Sequence, residues 1–209
     1  MRWLLFVALL LVCVPVASAA QIPRAAYGYQ RALVANVRVV WGLNGPIATM
    51  AAQVHQESGW NPNAKSIYAG GLAQFTPDTA DWISKKYADA LGTNQPYEPA
   101  WALRALAQYD KYLYDIMPFA ATDCDRWAFT LSAYNGGAGW VTRDRTLATQ
   151  NGVDSRRWWN NVELYSKRSV AATKENRGYP RRILLTIQRS EEHTSELQSH
   201  SDLVCRLLL

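Results

Sequence analysis

Apolar positions recur at a helical period along most of the chain. Residues 27–40 make one such stretch, closed by Gly42 and Gly45, after which Pro46 sits where a first helical turn tolerates it. Next, Ile47, Met50, Ala51 and Val54 are spaced by three and four residues, the signature of a helix face turned into a core. Thr76-Pro77-Asp78 reads as an N-cap followed by proline and opens a helix through Trp82 to residue 87. Glu98-Pro99 opens another, carrying Leu103, Leu106, Tyr109, Leu113 and Met117 before Pro118 stops it. Residues 123–134 follow and end at Asn135-Gly136-Gly137, a stop and turn signal, and residues 179–188 are again helical in pattern. Strand signals are weak and allow at most a short hairpin between Trp60 and Gln74. The pattern predicts one predominantly α domain with a short hairpin or loop region, rich in Gly, Asn and aromatics, between its second and third helices. A site is expected beside that loop.

The two ends differ from what lies between them. Arg2, an apolar run over residues 3–16 and the triplet Ala17-Ser18-Ala19 have the form of a secretory signal peptide, residues 1–19. The run falls short of the roughly 20 apolar residues that a membrane span needs, so no stable span is expected after cleavage. Val12 precedes Cys13 where lipoproteins carry a small residue, which argues against a lipid anchor. Residues 189–209 read RSEEHTSELQSHSDLVCRLLL. Both RSEEHTSELQS and LVCRLLL match the in-frame translation of a common sequencing adapter on either side of its index. This tail is expected to be non-native, which leaves residues 21–188 as the folded domain.

Without the ends, Cys13, Cys205, His193 and His200 drop out, and Cys124 and His55 remain. A lone cysteine makes no intramolecular disulfide, so a domain of about 170 residues is expected to hold together by its core. One histidine without cysteine companions builds no zinc site. HExxH, GxSxG and a glycine-rich phosphate loop are all absent, so no metal or cofactor is expected. The formal net charge of the chain is +5, and it rises to +6 over residues 21–188 because the tail is acidic. A basic exported protein is drawn to anionic polymers. Its cations are scattered, with short pairs at Arg156-Arg157 and Arg181-Arg182 and no dense arm, so nucleic acid is not an expected partner.

Glu57 stands three residues after Val54 and seven after Met50, on the stripe its helix buries and near the C-terminus of that helix. Partial desolvation and the negative end of the helix dipole both disfavour its charged form and raise its pKa. An acid that cleaves a glycosidic bond needs that property. The same placement also suits a Glu at the edge of the buried face that makes a local ion pair. His55 points away from Glu57 by helical rotation and is expected at the surface.

The residues that follow narrow the choice. HQESGWNPNAKSIYAGGLAQFTPDTADW resembles the first motif of the soluble lytic transglycosylase family, through Glu57-Ser58, Trp60-Asn61-Pro62, Ser66, Gly71-Leu72-Ala73-Gln74 and Pro77-Asp78-Thr79-Ala80. Ala133-Tyr134-Asn135-Gly136-Gly137 and Glu175-Asn176-Arg177-Gly178-Tyr179 follow in the family's order, so the resemblance runs over about residues 54–183. Three departures stand out. Ala73 replaces the usual Met, the loop from Ser66 to Gly71 is one residue shorter, and Pro180 follows Tyr179, acceptable if it starts a helix.

The resemblance implies a lysozyme-like helical fold of the goose-type or SLT kind, acting on the glycan strands of peptidoglycan in the periplasm or outside the cell. It implies cleavage of the β-1,4 bond between N-acetylmuramic acid and N-acetylglucosamine without water, leaving a 1,6-anhydro end, with Glu57 as the single acid/base. By the same resemblance Ser66 and Tyr179 orient the carboxyl group and the substrate acetamido group, while Gln74 and Tyr134 touch the glycan. Asn135 is expected to fix the turn after its helix and Glu175 to accept a bond near Tyr179. A two-carboxylate glycosidase would need a partner for Glu57 at roughly 5 to 9.5 Å. Asp78 and Asp81 are the nearest in sequence, but they read as residues of a short helix whose dipole Asp78 complements. Hydrolysis by a goose-type lysozyme and a peptidoglycan-binding module that does not cut are the alternatives. Trp60, Tyr68, Phe75, Trp140 and Trp158-Trp159 offer faces for sugar rings, although most are expected in the core.

Overall fold

Residues 47–54 form an unbroken buried run, too apolar on every side for a surface helix, and they open a helix at the centre of the molecule. The computed structural model describes residues 23–187; the expected signal peptide, 1–19, and the expected non-native tail, 189–209, lie outside the described residues. Eight helices follow in order: α1 (Arg24–Trp41), α2 (Ile47–Ser58), α3 (Pro77–Lys86), α4 (Ala88–Leu91), α5 (Pro99–Asp115), α6 (Asp123–Gly136), α7 (Ala138–Gln150) and α8 (Val170–Arg181). A single 3-10 turn (Val162–Leu164) precedes α8, and a π-helical turn (Arg182–Ile187) continues it. The predominantly α architecture is the one expected. Among the described residues there is no strand, and the hairpin shrinks to two isolated antiparallel bridges, Lys65 with Gly70 and Gly70 with Phe75.

Local chemistry sets the helix ends where the sequence placed them. Thr76 caps α3 by accepting from the Thr79 N–H, with Pro77 in the first turn, and Thr122 caps α6 by accepting from the Asp125 N–H. Gly59 ends α2 in the left-handed conformation at φ 57°, directly after the Glu57-Ser58 pair.

Two helices lie at the centre. In α6 every residue from Trp127 to Ala133 is buried, and its polar members are satisfied: Thr130 Oγ1 donates to the Arg126 carbonyl at 2.8 Å and Ser132 Oγ to Asn176 Oδ1 at 2.8 Å. α5, α7 and α8 pack around α6, while α1 lies along α5. α2 is the other, held between α1 and the π-helical turn. A core side chain such as Met50 contributes about 1.5–3 kcal/mol by leaving water, so α2 is anchored by its first two turns. Residues 55–58 then emerge half-buried, and Glu57 is presented from the end of a rigid rod.

Three expectations are corrected. α7 was not visible in the pattern, because its Val141, Asp144 and Ala148 bury a carboxylate where an apolar residue would have signalled a helix. The last helix starts at Val170, capped by Ser169, so Pro180 lies inside it and not at its first position. Proline lacks the N–H for an i−4 bond, and the wide turn that follows absorbs the mismatch. Cys124, expected to have no disulfide, is disulfide-bonded, and it is the sole cysteine among the described residues. No helix among the described residues is long and apolar enough to cross a membrane.

Candidate active site

Tyr179 and Glu57, 122 positions apart, meet because α2 packs on the π-helical turn that continues α8. The Tyr179 hydroxyl donates to Glu57 Oε1. Burial is the main cause that pushes the Glu57 carboxyl from 4.5 up to about 7; the Tyr179 hydrogen bond opposes the shift and the negative charge of Glu175 adds to it. Near neutral pH the group is therefore divided between its acid and base forms, as proton donation followed by proton removal requires. Tyr179 itself is held protonated, by burial first and then by the charge of Glu57.

Tyr134 supports this pair from behind. Its ring stacks on that of Tyr179, with centroids 6.4 Å apart and planes 6° from parallel, and its hydroxyl donates to the Ala73 carbonyl at 2.6 Å. One tyrosine thus ties the Glu57–Tyr179 pair to the loop of residues 59–76. Gln74 lies in that loop at φ 46°, a conformation uncommon outside glycine, and its Nε2 donates to the carbonyls of Ala64 (3.0 Å) and Gly71 (2.9 Å). Gly71 has φ 77°, and a Cβ there would lie 1.8 Å from the Pro96 carbonyl oxygen, so only glycine fits. The loop's backbone bonds are turns and single cross-links, such as Gly71 N–H to the Ala64 carbonyl at 2.9 Å and Gly70 N–H to the Phe75 carbonyl at 3.2 Å, and they do not add up to a hairpin ladder.

The remaining expected residues fall in different places. Ser66 is exposed and binds its own turn: Oγ accepts from the N–H groups of Ala69 (2.9 Å) and Tyr68 (3.2 Å) and donates to the Ala69 carbonyl. Its hydrogen bonds go to this loop and not to Glu57. Asn135 accepts from Asn176 Nδ2 at 3.0 Å, which joins the end of α6 to α8. Glu175 is exposed and reaches Glu57 through its charge. Asp78 and Asp81 are exposed on α3, where Asp81 accepts from Asn94 at 2.6 Å. His55 is half-buried rather than at the surface, and burial lowers its pKa. Trp60, Phe75, Trp158 and Trp159 are in the core, Trp140 is half-buried, and Tyr68 is exposed at the loop tip.

Sequence reasoning missed the pair beneath the carboxyl group. Gln53, one turn before Glu57, donates to Asp110 Oδ1 at 3.3 Å, and both side chains are fully buried. Burial raises the Asp110 pKa well above its ordinary value; the Gln53 hydrogen bond opposes the shift and the charge of Glu57 adds to it. The signal was present in Gln53, a polar residue on an otherwise apolar stretch. Its partner on α5 is not readable from spacing. Among the described residues no group of three or more His, Cys, Asp or Glu is arranged to hold a metal ion.

Comparison with known proteins bears on the family and the fold. The family model described as the transglycosylase SLT domain matches residues 43–155. The chain is 34% identical over 116 residues to a membrane-bound lytic murein transglycosylase F of Maricaulis maris, covering 55% of this chain and 24% of that protein. It is 33% identical over 110 residues to the protein of the same name from Shewanella denitrificans, covering 52% and 21%. The chain therefore spans about a quarter or less of the length of these relatives. Among solved structures, the 70 kDa soluble lytic transglycosylase of Escherichia coli shares its fold, with a TM-score of 0.60 at 22% identity over 83% of this chain and 26% of that one.

Proposed function

The chain belongs to the transglycosylase SLT domain family, and on that premise we propose that it is a lytic transglycosylase of peptidoglycan with Glu57 as its acid/base. The neutral Glu57 carboxyl donates its proton to the glycosidic oxygen as the bond to C1 of N-acetylmuramic acid breaks. The acetamido oxygen of that sugar bonds to C1 and takes up the developing positive charge. Glu57, now a carboxylate, removes the proton of the C6 hydroxyl, whose oxygen displaces the acetamido oxygen at C1. The products are a 1,6-anhydro end and a free N-acetylglucosamine end, and Glu57 regains its proton.

One observation carries the reading: a carboxyl with a pKa of about 7, held by the Tyr179 hydroxyl at the end of a buried helix. Asp110 is fully buried, so it offers no base to a water at the cleaved bond. Tyr179 fits as the group that holds the carboxyl, Tyr134 and Gln74 as residues that shape the loop beside it, and Ser66 as a loop hydroxyl that the substrate meets. Action on peptidoglycan places the protein in the periplasm or outside the cell, as the N-terminal segment leads one to expect. Hydrolysis is the second reading, because Glu175 is an exposed carboxylate whose charge Glu57 feels. Mass spectrometry of muropeptides released from purified sacculi decides between them. Anhydro-muramic ends, lost in Glu57→Gln, support the proposal; reducing ends alone support hydrolysis, and binding without release supports a non-cleaving module.

A further inference from the structure

Gln53 precedes Glu57 by one turn of α2, and its side chain meets Asp110 of α5. Gln53 Nε2 donates to Asp110 Oδ1 at 3.3 Å, whereas Gln53 Oε1 and Asp110 Oδ2, both buried, have no partner among the described residues. With the acid ionised, both unmet atoms are acceptors. An amide carries hydrogens only on its nitrogen and a carboxylate carries none, so the pair is one hydrogen short. Turning the amide over exchanges its two ends and leaves the same deficit. Among the described residues no cation forms an ion pair with Asp110. A carboxylate buried without a cation is very costly.

A proton on the Asp110 carboxyl supplies the missing hydrogen. The acid O–H then donates to the amide carbonyl while the amide N–H donates to the acid, and each group satisfies the other. Burial, which pushes the Asp110 pKa well above its ordinary value, agrees with that form. The titratable groups around this carboxyl are those of the active site. The charge of Glu57 on α2 acts on Asp110, and that of Asp110 acts on Tyr109 beside it, on Tyr134 of α6 and on Tyr179 of α8.

We infer that Asp110 is a positioning residue that keeps its proton throughout turnover, paired with Gln53, so that no second anion lies beneath Glu57. The inference rests on Glu57 as the acid/base and deepens that reading. Once Glu57 has given its proton to the glycosidic oxygen, it is an anion until it takes the proton of the C6 hydroxyl. A second anion beneath it would oppose the first transfer, because like charges favour the protonated form. The acid–amide pair removes that opposition. It also ties the turn before Glu57 to α5, across 57 positions of sequence. An aliphatic side chain at 110 would be uncharged too, but it would leave the buried amide of Gln53 unmet. Asp110 acts through Glu57 and is assigned no contact with the sugar.

Infrared difference spectra of the wild type against Asp110→Asn test the protonation without turnover. At about pH 8.5, where Glu57 is largely ionised, the wild type should show the carbonyl stretch of an un-ionised carboxylic acid that the variant lacks. Absence of that band overturns the inference. Kinetics on purified sacculi test the role. Asp110→Asn puts an amide N–H where the acid O–H stands, so the alkaline limb of kcat/KM against pH should stay in place. A limb that moves towards acid by about one unit or more would show that an anion had been removed, and it also overturns the inference. Asp110→Leu should lower kcat about tenfold with KM little changed. The exchange Gln53→Glu with Asp110→Asn restores one acid and one amide and should recover most of that loss. Asp110→Leu as active as Asp110→Asn refutes the positioning role. Circular dichroism verifies folding, and where Asp110→Leu does not fold, the infrared band and the Asp110→Asn limb decide. The band needs no reaction, so a failure of the proposed chemistry is told apart from a failure of this pair.

Discussion

Glu57→Gln should stabilise the folded protein above pH 7 and change little at pH 4. The Glu57 pKa is raised in the folded state, from 4.5 to about 7, with burial as the first cause. Between those values the folded chain holds a proton that the unfolded chain has released, so wild-type stability falls as pH rises through the window. A raised carboxylate pKa has the opposite sign from an ion-paired one: the loss starts near the unfolded pKa and is complete above the folded pKa. A shift of roughly 2.5 units at 1.36 kcal/mol per unit is up to about 3 kcal/mol. For a domain of this size that corresponds to about 6–12 °C in Tm. Glutamine keeps the shape and can still accept from Tyr179, but it carries no charge at any pH. Urea unfolding of both proteins from pH 4 to 8.5 gives the difference, and its slope with pH is the quantity of interest, since any constant offset reflects amide against neutral acid. A difference that does not vary between pH 4.5 and 7.5, or a wild type that gains on the variant as pH rises, refutes the reasoning.

Tyr179→Phe removes the hydrogen bond that lowers the Glu57 pKa, so the alkaline limb of kcat/KM against pH should move up while the rate falls about 10- to 100-fold, the range of one charge-assisted hydrogen bond. A limb that stays in place would show that the hydroxyl does not act on the carboxyl. Glu175→Gln removes a like charge and should move that limb towards acid, read from the same profile. Asp144→Ala leaves Arg177 and Arg168 without their carboxylate and should destabilise by about 3–5 kcal/mol in urea unfolding. Gly71→Ala puts a methyl group 1.8 Å from the Pro96 carbonyl at φ 77°, and a loss below about 1 kcal/mol would show that the loop relaxes freely.

Local signals were read well where the chemistry was local. The Thr76 cap with Pro77, the opening of α5 at Pro99 and the stop after Asn135 stand where the chain predicted them, within a residue or two. Glu57 was legible as a partly desolvated acid, though for an incomplete reason. A single apolar stripe was read on α2, whereas its first two turns are buried on all sides and its last turn emerges half-buried. Helix α7 was invisible because its inward position is Asp144. A buried carboxylate is intelligible only beside Arg177, 33 positions away.

The chain by itself determined the helical class, most of the helix boundaries and the ordered motifs from Glu57 to Tyr179, and it singled out the carboxyl group proposed here as the acid/base. These depend on periodicity, capping and turn chemistry, each spanning a few residues. Only the tertiary structure decided what surrounds that carboxyl. It sent the hydrogen bonds of Ser66 into its own loop, stacked Tyr134 on Tyr179 and buried Gln53 against Asp110. Desolvation and electrostatic coupling act through space between segments far apart in the chain. Their strength depends on what packs against a group, and no local spacing records that.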